Sequence, residues 1–361
     1  MKWSLKLGSV RGIGVYLHWT FALLVGWIFF AHLGAGQTTG QALVGVGFIL
    51  ALFTCIVLHE FGHALTAKHY GIMTRDITLL PIGGVARLES IPEKPMQEFW
   101  VALAGPAVNA VIAGLLFVVL KGFNHPLQAL DVGDFKGGFL EQLMWVNLFI
   151  GAFNLLPAFP MDGGRVLRSL LAMRTNRRRA TIIAANIGQM MAILFGVIGF
   201  FHNPILIFIA IFVYLGAQGE VDHIETQSAL EGLCVKDAMM TRFRSLSARD
   251  SLDTAVEELL AGAQQDFPVL EDGKIMGILR RNDLVKALSD GRRDADVGEV
   301  MCRECKPVDE SDVLTATLES MGNSQNTSLP VLGSGRFVGL LTLENIGELL
   351  MIQAATATQR S

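Results

Sequence analysis

Charged side chains are missing from the whole stretch Gly12–His59, and again from Phe99–Leu120, Gln142–Met161 and Ala180–Gly219. A helix that crosses the hydrocarbon core of a bilayer takes about 20 apolar residues. The first stretch is long enough for two crossings, split at Gly34-Ala35-Gly36-Gln37-Thr38-Thr39-Gly40, and the last for two more, split near His202-Asn203-Pro204. The pattern therefore predicts six helices, over 14–33, 42–66, 98–120, 139–156, 181–200 and 204–219. The first has no small-residue cleavage site after a short apolar core, so it reads as retained rather than as a signal peptide. Gly71–Ser90 is not apolar enough to span; Ile77–Leu80 and Val85–Leu88, around Pro81-Ile82-Gly83-Gly84, predict a short β-hairpin.

Beyond residue 220 the pattern changes to a tandem repeat with a constant offset of 62 over 235–351. Val235 and Met239 match Val297 and Met301, Phe267-Pro-Val-Leu270 matches Leu329-Pro-Val-Leu332, and Gly273 and Gly277 match Gly335 and Gly339. Each unit reads as strand, helix, strand, strand, helix. Two half-modules that each leave an apolar face uncovered pack together. The expected organisation is a membrane domain over 1–220, a linker over 221–234, a soluble α/β pair over 235–353 (235–291 and 297–353) and a flexible tail over 354–361.

Charge sharpens this division. Residues 1–219 carry 15 basic and 9 acidic side chains, residues 220–361 carry 14 and 24. The soluble half is acidic, and nucleic acid is not an expected partner. With the N-terminus in the cytoplasm, the inward segments 1–11, 64–98 and 163–179 hold 3, 4 and 6 basic residues, while the outward loops hold only Lys121 and Lys136. This bias sets the orientation, and six crossings return the C-terminal half to the cytoplasm. Cys55 then lies in the membrane, and Cys234, Cys302 and Cys305 lie where thiols stay reduced. Cys302-Arg-Glu-Cys305 has the spacing of half a zinc knuckle or of a redox pair, but no second pair completes a four-cysteine site, and the two read as ordinary residues.

The second predicted helix contains His59-Glu60-Phe61-Gly62-His63. Residues four apart share a helix face, so the two imidazoles can grip one zinc ion while Glu60 reaches a water on it. An acidic residue at membrane depth costs roughly 2.5–3.5 kcal/mol on insertion scales, and such groups mark functional sites. A catalytic zinc takes three protein ligands and keeps one open position. Asp162 is the only acidic residue between Glu141 and Glu220. It follows Asn154-Leu-Leu-Pro157-Ala-Phe-Pro160-Met, whose prolines release the chain from regular helix. Asp162 is either the third ligand or a cap on the following segment.

These residues, with Leu80-Pro81-Ile82-Gly83-Gly84-Val85 and Gly105-Pro106-Ala107-Val108-Asn109, resemble the site-2 protease family of intramembrane metalloproteases over most of residues 10–220. The resemblance implies that His59, His63 and Asp162 bind zinc, that Glu60 is the general base, and that the substrate is a transmembrane segment of another protein. It suggests a catalytic role for Asn154, holding the scissile backbone or the developing oxyanion; bridging two helices is the other reading of that residue. Asn109 reads more simply as helix packing, and His18, in Leu17-His18-Trp19, as an interfacial anchor. The family's strands edge the active site, where an unwound substrate would add as a further strand.

The repeat resembles a pair of CBS domains, which implies dimerisation and an adenine-nucleotide cleft. The usual hydroxyl and acid positions are filled incompletely: Arg280 with Asp283 in one unit, Thr342 with Asn345 in the other. A structural module without nucleotide stays open. The expected fold is thus a polytopic helical membrane domain of about six transmembrane helices with a short edge sheet, followed by a tandem CBS module. Two other functions are weighed. A silent membrane regulator is disfavoured by the intact His59, Glu60, His63 and Asp162; a gated transporter is disfavoured by the lack of inverted helix repeats in 1–220.

Overall fold

The computed structural model describes residues 4–81, 83–88, 92, 94–123, 138–324 and 326–358. Lys136, Ile82 of the hairpin turn, and residues 359–361 of the expected tail lie outside these. The chain forms two compact units, Met1–Asp222 and His223–Ser361.

The first unit opens with a hairpin, β1 (Ser4–Val10) and β2 (Ile13–His18), turned at Arg11-Gly12, both with positive φ. Two helices follow, α1 (Thr20–Gly34) and α2 (Thr39–His69), then β3 (Thr74–Leu80) and β4 (Gly83–Leu88). The strands make one sheet in the order β1-β2-β3-β4, with β2 and β3 parallel and the hairpins antiparallel. The hairpin expected at 77–88 is present. The first helix, however, starts at Thr20 rather than near residue 14. Ile13 and Val15 alternate onto a core with Phe61, Ala64 and Ile77, and a run without charges does not distinguish a buried strand from the start of a helix. His18 ends β2, with Nδ1 2.8 Å from Thr20 Oγ1 at the mouth of α1.

The remaining elements are α3 (Pro95–Gly122), α4 (Phe139–Asn154), α5 (Asp162–Ala172), α6 (Arg177–His202) and α7 (Pro204–Leu230), the last of which begins in this unit and ends in the second. Of the described helices, α2, α3, α6 and α7 are long and apolar enough to cross a membrane. With 15 residues in α1 and 16 in α4, these two reach about 22–24 Å at 1.5 Å per residue, short of the ~30 Å hydrocarbon core. The count of six is therefore not matched by six full-length spans. Thr38 caps α2 through a reciprocal bond with Gln41. Close helix approach rests on glycines: a Cβ on Gly62 would come within 2.7 Å of the Ala104 carbonyl oxygen, joining α2 to α3. The segment expected as a linker from residue 221 is helical to Leu230, because no Gly or Pro interrupts it before Gly232, whose φ is +81°.

The second unit holds a 3₁₀ turn (Val235–Asp237), α8 (Leu252–Ala261), β5 (Phe267–Glu271), β6 (Lys274–Leu279), α9 (Arg281–Ser289), α10 (Val297–Val300), β7 (Val308–Asp309), α11 (Leu314–Ser324), β8 (Ser328–Gly333), β9 (Arg336–Thr342) and α12 (Leu343–Thr358). Helix α12 extends into the segment expected as a flexible tail. The hairpins turn at Asp272-Gly273 and Ser334-Gly335, all four at positive φ, as two-residue hairpin turns require. The entry arm of each repeat lies across the other. Met240 bridges to Leu340, and Cys302 to Ile278, pairs related by the same offset. A Cβ on Gly277 would meet the Cys302 carbonyl oxygen at 2.6 Å, and one on Gly339 the Met240 carbonyl oxygen at 2.8 Å. The repeated glycines thus make room for the exchanged arms.

Candidate metal centre

Helix α2 presents His59 and His63 one turn apart, both buried. After α4 ends at Asn154, Leu155–Met161 folds back beneath α5, and Ala158, Phe159 and Met161 are buried there. Gly163 and Gly164 permit this: Cβ atoms there would fall 2.2 Å from the Leu156 oxygen and 2.7 Å from the Ala158 carbonyl carbon. Asp162 becomes the first residue of α5, and the N-cap position is taken by Met161, which makes no side-chain cap bond. Its Oδ2 lies 3.1 Å from His63 Nε2 and 3.3 Å from His59 Nε2, and the two Nε2 atoms are 3.1 Å apart. The Asp162 carboxylate is thus directed at the two histidines.

The hydrogen bonds behind these groups decide whether a cation fits. The Leu143 carbonyl can only accept, so Asn147 presents its amide nitrogen to it, at 2.8 Å. Asn147 then offers Oδ1 to Asn109 Nδ2 at 2.9 Å. Asn109 in turn offers Oδ1 to His59 Nδ1, which must carry the proton. His63 Nδ1 likewise donates to the Val101 carbonyl at 2.7 Å. In neutral imidazoles both Nε2 lone pairs are therefore bare. They converge with a carboxylate oxygen, three acceptors and no donor. Tetrahedral zinc with bonds of about 2.0–2.1 Å sets its ligand atoms about 3.3 Å apart, and the three separations here match that edge. Among the described residues, His59, His63 and Asp162 are the one group of this kind able to hold a metal ion.

Space at the centre depends on Gly105 of α3. A Cβ there would lie 2.2 Å from His63 Nε2 and 2.7 Å from His59 Nε2. Glu60 points from α2 toward β4, where its Cγ would be 2.9 Å from a Cβ on Gly84. Asn154 is the last residue of α4 and donates from Nδ2 to the Ile150 carbonyl at 3.0 Å, within its own helix. The sequence reading missed the orienting role of Asn109 and Asn147, whose legible signal is a buried amide in an uncharged stretch. It also missed Arg168. That side chain is 2% exposed and pairs with Glu98 Oε1 at 2.6 Å and with Glu220, over the Phe159 ring.

In the second unit, a 710 Å³ cleft is lined by Met240, Arg242, Arg244 and Asp266 of the first repeat and by Thr342 and Asn345 of the second. Thr342 Oγ1 donates to Asn345 Oδ1 at 2.7 Å and accepts from the Asn345 N–H at 3.1 Å. Arg280 and Asp283 are not part of this cleft. They pair with each other at 3.5 Å at the equivalent position of the other repeat, beside Cys305. The four nucleotide candidates therefore divide between two places, because exchanged arms put an offset of 62 on opposite sides of the pair.

Residues 47–136 and 125–198 match the model of peptidase family M50, and residues 235–290 and 297–351 each match the CBS domain. A zinc metalloprotease of Methanocaldococcus jannaschii is 32% identical over 349 residues, 96% of this chain and 96% of that protein. Rip3 of Mycobacterium tuberculosis is 28% identical over 376 residues, 97% of this chain and 93% of its own. Among solved structures, a site-2 protease from Methanocaldococcus jannaschii aligns over 61% of this chain and 95% of its own, with 37% identity and a TM-score of 0.44.

Proposed function

Since this chain belongs to peptidase family M50 and carries a C-terminal CBS-domain pair, we propose that it is an intramembrane zinc endopeptidase that cleaves transmembrane segments of other membrane proteins. The observation that carries the reading is the convergence of His59, His63 and Asp162 with both histidine tautomers fixed from behind. When bound there, zinc supplies Lewis-acid polarisation of a peptide carbonyl and brings the pKa of a water to about 7.

The chain's own residues do the rest. Glu60 takes the proton from the attacking water and returns it to the leaving amide nitrogen, the general-base and general-acid roles of one carboxylate. β4 is an edge of its sheet, and Gly84 on it abuts Glu60. A substrate segment laid along that edge as a further strand would set its scissile bond beside the base. A helical substrate must unwind first, so Gly or Pro near the cut should raise the cleavage rate. Asn154 would hold the substrate backbone or the oxyanion only by leaving Ile150. Six crossings, with α1 and α4 short, place both termini and the CBS pair in the cytoplasm. That pair would dimerise, and adenine nucleotide in its cleft would modulate cleavage.

The test is Glu60→Gln in purified protein, assayed for zinc content and for cleavage of a membrane-embedded substrate. Zinc should stay at one equivalent while cleavage is lost. Cleavage at the wild-type rate would remove Glu60 from the mechanism, and zinc retained in a His59→Ala, His63→Ala double variant would remove the metal site.

A further inference from the structure

The dithiol Cys302-Arg303-Glu304-Cys305 takes no part in the proteolytic reading. Its sulfurs lie 3.1 Å apart, and both cysteines are free and partly buried. Cys302 is pinned by its backbone: its N–H donates to the Ile278 carbonyl at 2.8 Å, and its carbonyl accepts from the Ile278 N–H at 3.0 Å. Cys305 sits in the irregular segment that follows. The Arg280 guanidinium lies beside the pair, with Nη2 3.9 Å from Cys305 Sγ.

The other repeat is an internal control. At the equivalent positions it carries Met240 and Phe243, both lining its cleft. Apolar side chains therefore satisfy the fold at this place, and packing does not call for a thiol pair. Arg280 likewise stands where the other repeat has Thr342. Of the two equivalent places, one alone brings together a cation of the first repeat, Arg280, and two thiols of the second repeat's entry arm.

We propose that Cys302 and Cys305 form a redox-active dithiol site, oxidised reversibly to an intramolecular disulfide by low-molecular-weight disulfides of the glutathione type. Burial opposes ionisation of Cys302, but hydrogen bonds from Cys305, Arg280 and the Glu304 N–H outweigh it and hold this thiol below its ordinary range. Burial and the neighbouring Cys302 push the Cys305 thiol up to about 12. Since the thiolate is the attacking form, Cys302, fixed by its paired backbone bonds to Ile278, is the attacking sulfur, and Cys305, in the irregular segment, is the resolving thiol that can move to it.

The exchange balances in two steps. The Cys302 thiolate attacks one sulfur of the oxidant, forms a mixed disulfide and releases a thiolate, which takes the proton that Cys302 gave to solvent. Cys305 then loses its proton and attacks Cys302 Sγ. The protein disulfide forms, and the second oxidant thiolate departs and is protonated. Two protein thiols are oxidised and one small disulfide is reduced to two thiols. Closing the bond shortens the sulfur separation by about 1 Å, a movement left to the Cys305 segment. In a reducing compartment the pair rests as the dithiol, and disulfides formed there are typically redox-sensing.

The test uses the full-length protein in detergent, equilibrated in mixtures of reduced and oxidised glutathione. Differential alkylation and peptide mass spectrometry read out each cysteine. A Cys302–Cys305 disulfide should accumulate and reverse with added reduced glutathione. At neutral pH Cys302 should alkylate about tenfold faster than the partly buried Cys234. Cys305→Ser should trap Cys302 as its glutathione adduct; Arg280→Gln should slow Cys302 alkylation several-fold and Arg280→Lys restore it. A wild-type pair that stays reduced in excess oxidised glutathione, or a Cys302 no faster than Cys234, overturns the proposal without any variant.

Discussion

The tautomer of His59 on α2 is decided by the Leu143 carbonyl on α4, through Asn147 and then Asn109 of α3. Each amide can face only one way once the carbonyl has chosen. Partners behind a metal-bound imidazole are commonly worth 10–100-fold in metal affinity. Asn109→Ala should weaken zinc binding by about that factor, measured by competition with a chromophoric chelator, while leaving His63 held by Val101. Gly105→Ala acts differently, since its methyl would occupy the space in front of both Nε2 atoms. It should abolish stoichiometric zinc, and a fully loaded Gly105→Ala protein would show that α3 yields at this point. His59, Glu60, His63 and Asp162 stood out as candidates because acidic groups and paired imidazoles are rare in apolar sequence. The orienting role of Asn109 was not legible, because an amide in an uncharged stretch is read equally well as helix packing until its partners are known.

The elements around the centre are locked together by charge as well as by packing. Arg168 of α5 joins Glu98 of α3 and Glu220 of α7, six residues along the helix from Asp162. Removing one member of a buried pair leaves the other charge uncompensated, at about 3–5 kcal/mol. Arg168→Ala should lower the thermal midpoint of the detergent-solubilised protein accordingly. The neutral combination Arg168→Met, Glu98→Gln, Glu220→Gln should recover most of the loss; a double loss would point to packing over Phe159 instead. The same elements show what sequence pattern reveals. The β3–β4 hairpin was legible from Pro81-Ile82-Gly83-Gly84, and the repeat from its constant offset. β2 was not, because its alternation merges into an uncharged stretch and its parallel partner β3 lies beyond two helices; β1, paired with β2 alone, was missed with it. Division of the nucleotide candidates was illegible for a related reason: equal spacing along the chain does not reveal that the entry arms cross over.

On the scale of the whole chain, the question is whether the cleft lined by Arg242, Arg244, Thr342 and Asn345 influences the centre built on α2 and α5. A nucleotide changes proteolysis only by binding one conformational state more tightly than another. Coupling of substrate and nucleotide binding is then reciprocal: each alters the other's affinity by the same factor. This gives a test that needs no turnover. In the Glu60→Gln protein, ATP or AMP affinity is measured with and without a bound transmembrane substrate, and substrate affinity with and without nucleotide. If the cleft regulates the protease, both ratios should agree and depart from one; a tenfold ratio corresponds to about 1.4 kcal/mol. Thr342→Ala, which removes the hydroxyl shared with Asn345, should weaken nucleotide binding about tenfold, each lost hydrogen bond being worth roughly 0.5–1.5 kcal/mol. Nucleotide that binds with a ratio of one would leave the pair a dimerising module. An absence of nucleotide binding would assign Arg242 and Arg244 to the surface charge of the pair.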